Sequence, residues 1–336
     1  MKILLGKQTF FKANLHTHTN ISDGDFSPEE IKKRYREKGY SVVAFTDHEV
    51  FVRHNDLSDE NFLALNGYEL AVNENRPGKD FQFVKTYHLN LYAETPAAVC
   101  PPCFNENNIW IEHSKQYVTE EMRQIRYPLR YSVADINEIV RRSNESGFFV
   151  CYNHPVWSMQ NPADYLGLKG LWGMEVYNTA SDVVSLTDTD VPYSYMLEAG
   201  NKLYPVAADD AHKAEHIGGG FTMIDAKDLS YRSVIEALKR GDFYASVAPE
   251  IYKLYIDRGV LYVKTSPCAK ICMLTNRRYT VCRAGKNVEE AEIPLKTFFE
   301  WNGKDDRTND YFRIVAIDGE GKKAYTRAYY AEDFAG

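Results

Sequence analysis

The sequence predicts an α/β fold over most of its length, followed by a small β-sandwich domain. Up to about residue 248, short apolar runs alternate with segments of helical periodicity, which is the pattern of α/β proteins. After Ala248, alternating apolar and polar runs separated by turn residues take over, a pattern typical of β-sandwiches. We therefore expect one domain at residues 1–248 and a second at 249–336.

The first helix is predicted from the signals at its two ends. Ser27-Pro28-Glu29-Glu30 offers an N-cap serine, a proline at the first helical position and the glutamate of a capping box. Gly39 supplies the stop signal. Similar reasoning predicts strands at 41–46, 148–152 and 203–208, helices at about 132–147 and 230–240, and C-terminal strands at 252–256, 261–265, 311–317 and 324–330.

Residues that can ligate metals recur just past the ends of the predicted strands. The carboxyl ends of strands in α/β folds are where functional sites assemble. Six of the nine histidines fall in these short motifs, which is difficult to explain by packing alone. The motifs are His16-Thr17-His18, Ser22-Asp23-Gly24, Thr46-Asp47-His48, Gly67-Tyr68-Glu69, Tyr87-His88, Asn153-His154-Pro155 and Asp210-Ala211-His212.

The spacing within these motifs suits a metal centre. In an extended segment, His16 and His18 point to the same face because side chains alternate with period two. Asp210 and His212 have the same spacing. Mixed nitrogen and oxygen ligands favour zinc, manganese or iron. The candidates are too numerous for one ion and suit two or three, which together would activate a hydroxide and stabilise a charged transition state.

Composition and charge limit the classes of partner and the cellular location that we expect. The net charge of −7 argues against a groove for long nucleic acid but allows a small anionic substrate, since metals supply positive charge. No run approaches the roughly 20 apolar residues of a membrane span, and the N-terminus lacks a signal-peptide cleavage site. We therefore expect a cytoplasmic protein whose six cysteines are thiols. Cys100-Pro-Pro-Cys103 has redox-motif spacing without the usual strand and helix context.

At these motifs the sequence resembles the polymerase and histidinol phosphatase (PHP) superfamily of metal-dependent phosphoesterases, over about residues 10–248. The resemblance implies a distorted (β/α)7 TIM-like barrel with a trinuclear site. By position, His16, His18 and Asp210 would hold one metal, Glu69 would bridge to a second held by His88 and His154, and Asp23, His48 and His212 would hold the third. Asp47 and Asp209 would support these ligands without binding metal.

The resemblance implies hydrolysis of a phosphomonoester or small phosphodiester by metal-bound hydroxide. Asp210, Glu69 and His212 would be the catalytic residues, and Asp210 or a nearby carboxylate would accept a proton. Arg53 and Lys213 lie next to metal motifs and are candidate phosphate contacts. A P-loop and the G-x-S-x-G elbow of serine hydrolases are absent from the sequence.

Two alternatives stay open. Residues 175–178, 218–221, 243–250 and 323–326 resemble PHP proteins with a C-terminal immunoglobulin-like domain, a branch that includes carbamate and ester hydrolases. A pocket lined by Trp157 and Tyr177 would favour such a substrate. The second alternative is a non-catalytic binding module that uses the β-domain, which an exposed aromatic patch there would support. Nothing in the sequence fixes the oligomeric state.

Residues 94–131 depart from the minimal PHP pattern. The stretch is rich in proline and asparagine and shows no clear period before Glu112. Long irregular segments inside compact domains are usually functional, so we predict a lid or a wall of the substrate pocket. The remaining histidines, His54, His113 and His216, lie outside the motifs and are expected at the surface or the pocket edge.

Overall fold

The computed structural model describes residues 1–187, 190–301, 304 and 310–334. These residues form a mixed α/β fold. The strands are β1 (Lys2–Leu5), β2 (Thr9–Asn14), β3 (Val42–Phe45), β4 (Leu63–Asn73), β5 (Thr86–Ala93), β6 (Phe148–Tyr152), β7 (Gly173–Asn178), β8 (Tyr204–Ala208), β9 (Phe221–Ala226), β10 (Phe243–Ser246), β11 (Ile251–Asp257), β12 (Val260–Thr275), β13 (Thr280–Pro294), β14 (Tyr311–Ile317), β15 (Lys323–Thr326) and β16 (Tyr329–Tyr330). The helices are α1 (Pro28–Glu37), α2 (Glu120–Arg123), α3 (Val133–Glu145), α4 (Pro162–Tyr165), α5 (Thr179–Val183), α6 (Asp190–Glu198), α7 (Tyr231–Arg240) and α8 (Lys296–Trp301).

The helix boundaries follow the end signals in the sequence. The Ser27 hydroxyl accepts a hydrogen bond from the Glu30 amide at 3.3 Å, and the Glu30 carboxylate accepts one from the Ser27 amide at 2.9 Å. Ser132 caps α3, and Ser230 caps α7. Gly241 ends α7 in the left-handed conformation, which glycine adopts without a steric penalty. These helix predictions are confirmed.

The sheet is mixed, not uniformly parallel. Strands β2, β3 and β4 are parallel neighbours, and so are β6, β7 and β8. Strand β5 runs antiparallel to both β4 and β6, because residues 74–85 return the chain with only a short 3-10 helix at Phe81–Phe83. The predicted α/β class is confirmed, but the expected succession of strand–helix units is interrupted at β5.

The two ends of this row of strands approach each other. An isolated parallel bridge joins Thr17, just after β2, to Ala211, just after β8. The Asp210 amide donates to the His16 carbonyl at 2.9 Å, and the His18 amide donates to the Ala211 carbonyl at 3.1 Å. The strands themselves form one continuous sheet, so closure into a seven-stranded barrel stays a prediction.

The C-terminal strands extend the same sheet. Strand β11 pairs with β1, and β15 pairs with β10. Strands β12 and β13 form a long ribbon, of which the sequence patterns predicted only 261–265. Strand β13 escaped prediction because most of its side chains are exposed, so it lacks the alternation that marks a half-buried strand. The β-sandwich and the boundary at 248 stay predictions.

The expectation that all six cysteines are thiols is wrong for one pair. Cys272 on β12 lies opposite Cys282 on β13, and the two form a disulfide. Neighbouring positions across an antiparallel pair bring the two side chains close enough for this bond. The remaining cysteines, Cys100 and Cys103 among them, are free thiols.

None of the helices in the described part of the chain is long and apolar enough to cross a membrane.

Candidate metal centre

The ligand candidates meet at one edge of the sheet, where several strands end. His16 and His18 follow β2, and His48 follows β3. His154 follows β6, and Asp210 follows β8. Because the carboxyl ends of parallel strands lie at the same edge, segments distant in the sequence converge there.

Two further candidates lie inside strands. Glu69 in β4 forms a parallel bridge with His48, so the chain beyond β3 continues alongside β4 up to the site. His88 lies on β5, opposite Ala71 of β4. The antiparallel β4–β5 pair therefore brings Glu69 and His88 to the same place from opposite chain directions.

Four overlapping groups of side chains could each hold a metal ion. Within each group, the potential ligand atoms lie within 4.8 Å of one another. The groups share members, so they form one continuous cluster. They are His18, Asp23, His48 and His212; His16, His18, Glu69 and Asp210; His48, Glu69 and His88; and His16, His154 and Glu175. The nine ligand candidates from the sequence all occur in these groups.

Glu69 is the centre of the cluster. Its side chain is completely buried, and imidazole nitrogens surround both carboxylate oxygens. Burial alone would raise the pKa of Glu69, but the charges of His88, His16 and His48 hold this pKa well below its usual value. The nitrogen–oxygen distances to Oε1 are 3.1 Å from His88, 3.3 Å from His16 and 3.3 Å from His154, and those to Oε2 are 3.2 Å from His48 and 3.4 Å from His18.

Asp210 lies beside Glu69, just after the end of β8. Its Oδ1 is 2.9 Å from His18 Nε2 and 3.2 Å from His16 Nε2. These two imidazole nitrogens are themselves only 3.2 Å apart. The backbone of Asp210 has a φ of 52°, a conformation that residues other than glycine adopt at a cost and that clusters at functional sites.

Asp23 and His212 form the more exposed side of the cluster. Asp23 Oδ1 is 3.4 Å from His212 Nε2, and Asp23 Oδ2 is 3.6 Å from His48 Nε2. The side chains of Asp23 and His212 are 28% and 23% exposed. This side of the cluster is therefore the one that water and a substrate reach.

The donor set fits divalent cations. His48 Nδ1, Glu69 Oε2 and Asp210 Oδ1 are buried and make no contact with hydrogen-bond geometry. Polar atoms are rarely buried in this way without a partner, and three such atoms within one cluster are what a site for a cation offers. Imidazole and carboxylate ligands without thiolate suit zinc, manganese or iron.

Comparison with known families agrees with this geometry. Residues 14–100 match the family model of the PHP domain. This part of the chain is similar to a PHP domain. Residues 201–243 match a second model, described as PHP-associated. The PHP-associated match includes Asp210 and His212, whereas His154 lies outside both matches. The PHP match includes the other six ligand candidates, His16, His18, Asp23, His48, Glu69 and His88.

Three solved structures resemble this chain at low sequence identity. One is a two-domain protein from Bacteroides vulgatus containing a predicted PHP-like metal-dependent phosphoesterase, with 12% identity, TM-score 0.47 and 98% of each chain covered. A lesion-specific endonuclease from Pyrococcus furiosus has 17% identity and TM-score 0.43, with 69% of this chain and 56% of that chain covered. An amidohydrolase from Chromobacterium violaceum has 16% identity and TM-score 0.37, with 60% and 87% covered. Likeness at this level supports no inference about activity. No curated protein matches the sequence.

Glu175 is a member of the side-chain cluster that the ligand prediction missed. Its carboxylate lies 2.7 Å from His16 Nδ1 and accepts hydrogen bonds from the His154 amide at 3.1 Å and from Asn178 Nδ2 at 3.0 Å. A carboxylate in this position fixes the orientation of a ligating histidine. The signal in the sequence was a glutamate in the middle of the predominantly buried strand β7.

Two asparagines hold the central carboxylates. Asn153 Nδ2 donates to Glu69 Oε1 at 2.7 Å, and Asn178 Nδ2 donates to Asp210 Oδ2 at 3.2 Å. Both amides are completely buried. Each amide therefore fixes one oxygen of a central carboxylate while histidines surround the same group.

Asp47 and Asp209 hold two loops near the cluster. Asp47 accepts hydrogen bonds from the Thr19 amide and the Ser22 hydroxyl, both at 2.7 Å, and so fixes the loop that carries Asp23. Asp209 accepts from three consecutive amides, those of residues 218–220, at 2.7–3.0 Å. Direct support of metal ligands by Asp47 and Asp209 stays a prediction.

A cavity of about 460 Å³ opens onto the metal cluster. Beyond the ligand candidates, six residues line it, namely Ala71, Asn73, Phe81, Asn108, Trp110 and Trp157. Among the residues that the structure describes, its wall contains no lysine or arginine. Trp157 packs in this wall against His88 and His154, with ring centroids 5.4 and 5.1 Å apart, and its contact with a substrate stays a prediction.

The other predicted substrate contacts lie outside this wall. Arg53 and Lys213 are exposed, and the Tyr177 hydroxyl donates to Asp182 at 3.2 Å. Their role in substrate binding stays a prediction. His54 is buried and packs against Phe45, with ring centroids 4.6 Å apart.

Residues 94–131 reach the cavity through Asn108 and Trp110. Two hydrogen-bonding contacts connect the segment to residues 21 and 22. His113 Nε2 lies 2.7 Å from the Ser22 carbonyl, and the Ser114 hydroxyl donates to the Ile21 carbonyl at 2.7 Å. The insertion is therefore tied to the loop that carries Asp23.

Proposed function

We propose that this protein is a metal-dependent hydrolase that cleaves a phosphoester, either a phosphomonoester or a small phosphodiester. The observation that carries the proposal is the convergence of buried imidazoles and carboxylates around Glu69, with three polar atoms left without hydrogen-bond partners. The match of residues 14–100 to the PHP domain supports a metal-dependent phosphoesterase of this kind.

Two or three ions of zinc, manganese or iron would occupy the cluster. His16, His18 and Asp210 would hold the first ion, and Glu69 would join it to a second held by His88 and His154. Asp23, His48 and His212 would hold the third. The four overlapping groups support this number, because Glu69 belongs to two of them and its carboxylate has two oxygens with which to join adjacent ions.

When bound, the ions supply positive charge that stabilises a transition state with developing negative charge. The chain supplies their fixed positions and a path for protons. His212 Nδ1 lies 2.8 Å from the Asp210 carbonyl, which turns Nε2 towards Asp23 and the cavity. In this proposal Asp210 or a nearby carboxylate would accept a proton during hydrolysis, with Glu69 and His212 as the other catalytic residues.

The small anionic substrate would enter through the cavity with its scissile group towards Asp23 and His212. These are the most exposed of the ligand candidates whose side chains line the opening. The absence of lysine and arginine from the described wall leaves recognition of the anionic group to the metal cluster itself.

The decisive experiment combines metal analysis with a hydrolysis screen. Purified protein is analysed for bound transition metals and then assayed on phosphomonoesters, phosphodiesters, carbamates and carboxylic esters, with Glu69→Gln as the inactive control. We expect more than one equivalent of metal and turnover of at least one phosphoester. Metal-loaded protein that cleaves only carbamates or carboxylic esters would contradict the phosphoester proposal.

A carbamate or carboxylic-ester hydrolase is the second candidate. The aromatic and uncharged wall of the cavity favours it, because a phosphate pocket often adds arginine or lysine to the metals. The same screen separates the two candidates. For the binding-module alternative, the described β-domain exposes Tyr252 and Phe299 at 50% and 38%, and the structure does not show these two rings in one patch.

A further inference from the structure

Three aromatic side chains flank the metal cluster, and we call Phe81, Trp110 and Trp157 the aromatic wall. Trp110 and Phe81 are 62% and 53% exposed, and Trp157 is half-buried. All three line the cavity that opens onto the cluster. Large rings with this exposure grouped around a cavity indicate a surface that a ligand covers.

The aromatic wall is held in place before any ligand binds. Trp157 packs against His88 and His154, and Phe81 packs against Trp157 with ring centroids 5.9 Å apart. Trp110 lies over His48, with ring centroids 5.6 Å apart. The two tryptophans therefore contact ligand candidates directly, and a group bound against them would lie next to the scissile bond.

The position of Trp110 is fixed by the insertion. On its N-terminal side Ile109 is buried, and on its C-terminal side Ile111 is buried. His113 and Ser114 then bind the carbonyls of residues 21 and 22. Trp110 thus projects from a packed segment, so little conformational entropy is lost when a ligand covers it.

The other residues that line the cavity indicate the chemistry of the bound group. Apart from the metal-ligand candidates, the polar residues of the lining are Asn73 and Asn108, which carry uncharged amides. A charged group bound here would meet no opposite charge outside the cluster, whereas a flat apolar group would stack on indole faces. We propose that the aromatic wall binds an aryl group next to the scissile bond, so that the substrate is an aryl-bearing ester. The identification of that ester as a phosphoester rests on the proposed function.

The test uses manganese-loaded protein and two phosphonates that no hydrolase of this kind cleaves, benzylphosphonate and cyclohexylmethylphosphonate. They differ only in whether the six-membered ring is aromatic. We expect calorimetry to show benzylphosphonate binding about 3- to 10-fold more tightly. Trp110→Ala and Trp157→Ala should each remove most of this preference, and Trp110→Phe should retain it.

Phe83→Ala is the matched control, since Phe83 is 59% exposed and close in sequence to Phe81 but does not line the cavity. This variant should bind both phosphonates as the unmodified protein does. Equal affinity for the two phosphonates, failure of both to bind, or a preference that survives both alanine variants would overturn the proposal.

The same protein is then assayed on benzyl phosphate and cyclohexylmethyl phosphate, whose leaving alcohols are of similar reactivity. We expect a lower KM for benzyl phosphate and loss of that advantage in Trp157→Ala. A ring preference in binding without hydrolysis of any phosphoester would overturn the proposed function and leave the aryl site standing. Hydrolysis without ring preference would overturn the aryl site alone.

Discussion

Glu175→Gln tests whether this carboxylate positions the metal ligands. Glu175 receives three donors, from His16, the His154 amide and Asn178, at 2.7–3.1 Å. The substitution keeps the size of the side chain, but one carboxylate oxygen becomes an NH2 group that faces donors. Loss of a hydrogen bond to a charged group costs about 1.5–3 kcal/mol. We therefore expect metal affinity to fall about 10- to 100-fold, as for other residues that orient ligating histidines.

Competition with a chromophoric chelator measures the metal dissociation constants of the two proteins. Glu236→Gln is the matched control, because Glu236 is exposed on α7 and pairs with Arg232 on the same helix. Circular dichroism shows whether the fold survives. Unchanged metal affinity in a folded Glu175→Gln variant would refute the positioning role.

Three further predictions concern stability, measured by chemical denaturation. Asp209→Asn should lower the free energy of unfolding by about 2 kcal/mol or more, because the new amide NH2 faces backbone donors; a smaller loss would show that these bonds contribute little. Ser27→Ala should cost about 1 kcal/mol through loss of the α1 cap, and an unchanged midpoint would count against it. Cys272→Ser removes the disulfide that closes a loop of ten residues. It should lower the free energy of unfolding by about 2–3 kcal/mol under oxidising conditions and leave it unchanged under reducing ones. A variant as stable as the unmodified protein under oxidising conditions would contradict this.

Local signals made the elements around the site predictable. The capping box at Ser27 and the glycine at 241 mark helix ends through interactions within a few residues, so the sequence alone is sufficient to locate them. The histidine motifs were recognisable for the same reason, since H-x-H spacing has meaning on any extended segment.

Features that depend on distant partners were not predictable. The antiparallel direction of β5 is decided by its pairing with β4 and β6, and no local pattern encodes direction. Glu175 acquires its role only because β7 lies next to β6 and places it beside His16. Trp110 belongs to a segment without periodicity, and its place at the cavity depends on the bonds of His113 and Ser114 to another loop.

The central claim is that Glu69 joins two metal ions within one cluster. Elemental analysis of metal per chain, on the unmodified protein and on Glu69→Gln, tests it most directly. Glu69→Gln removes the charge at the centre of five imidazole contacts, so we expect more than one equivalent of metal in the unmodified protein and a loss of at least one in the variant. Glu60→Gln, at an exposed glutamate, should keep the full content. A folded Glu69→Gln variant with undiminished metal would contradict the account.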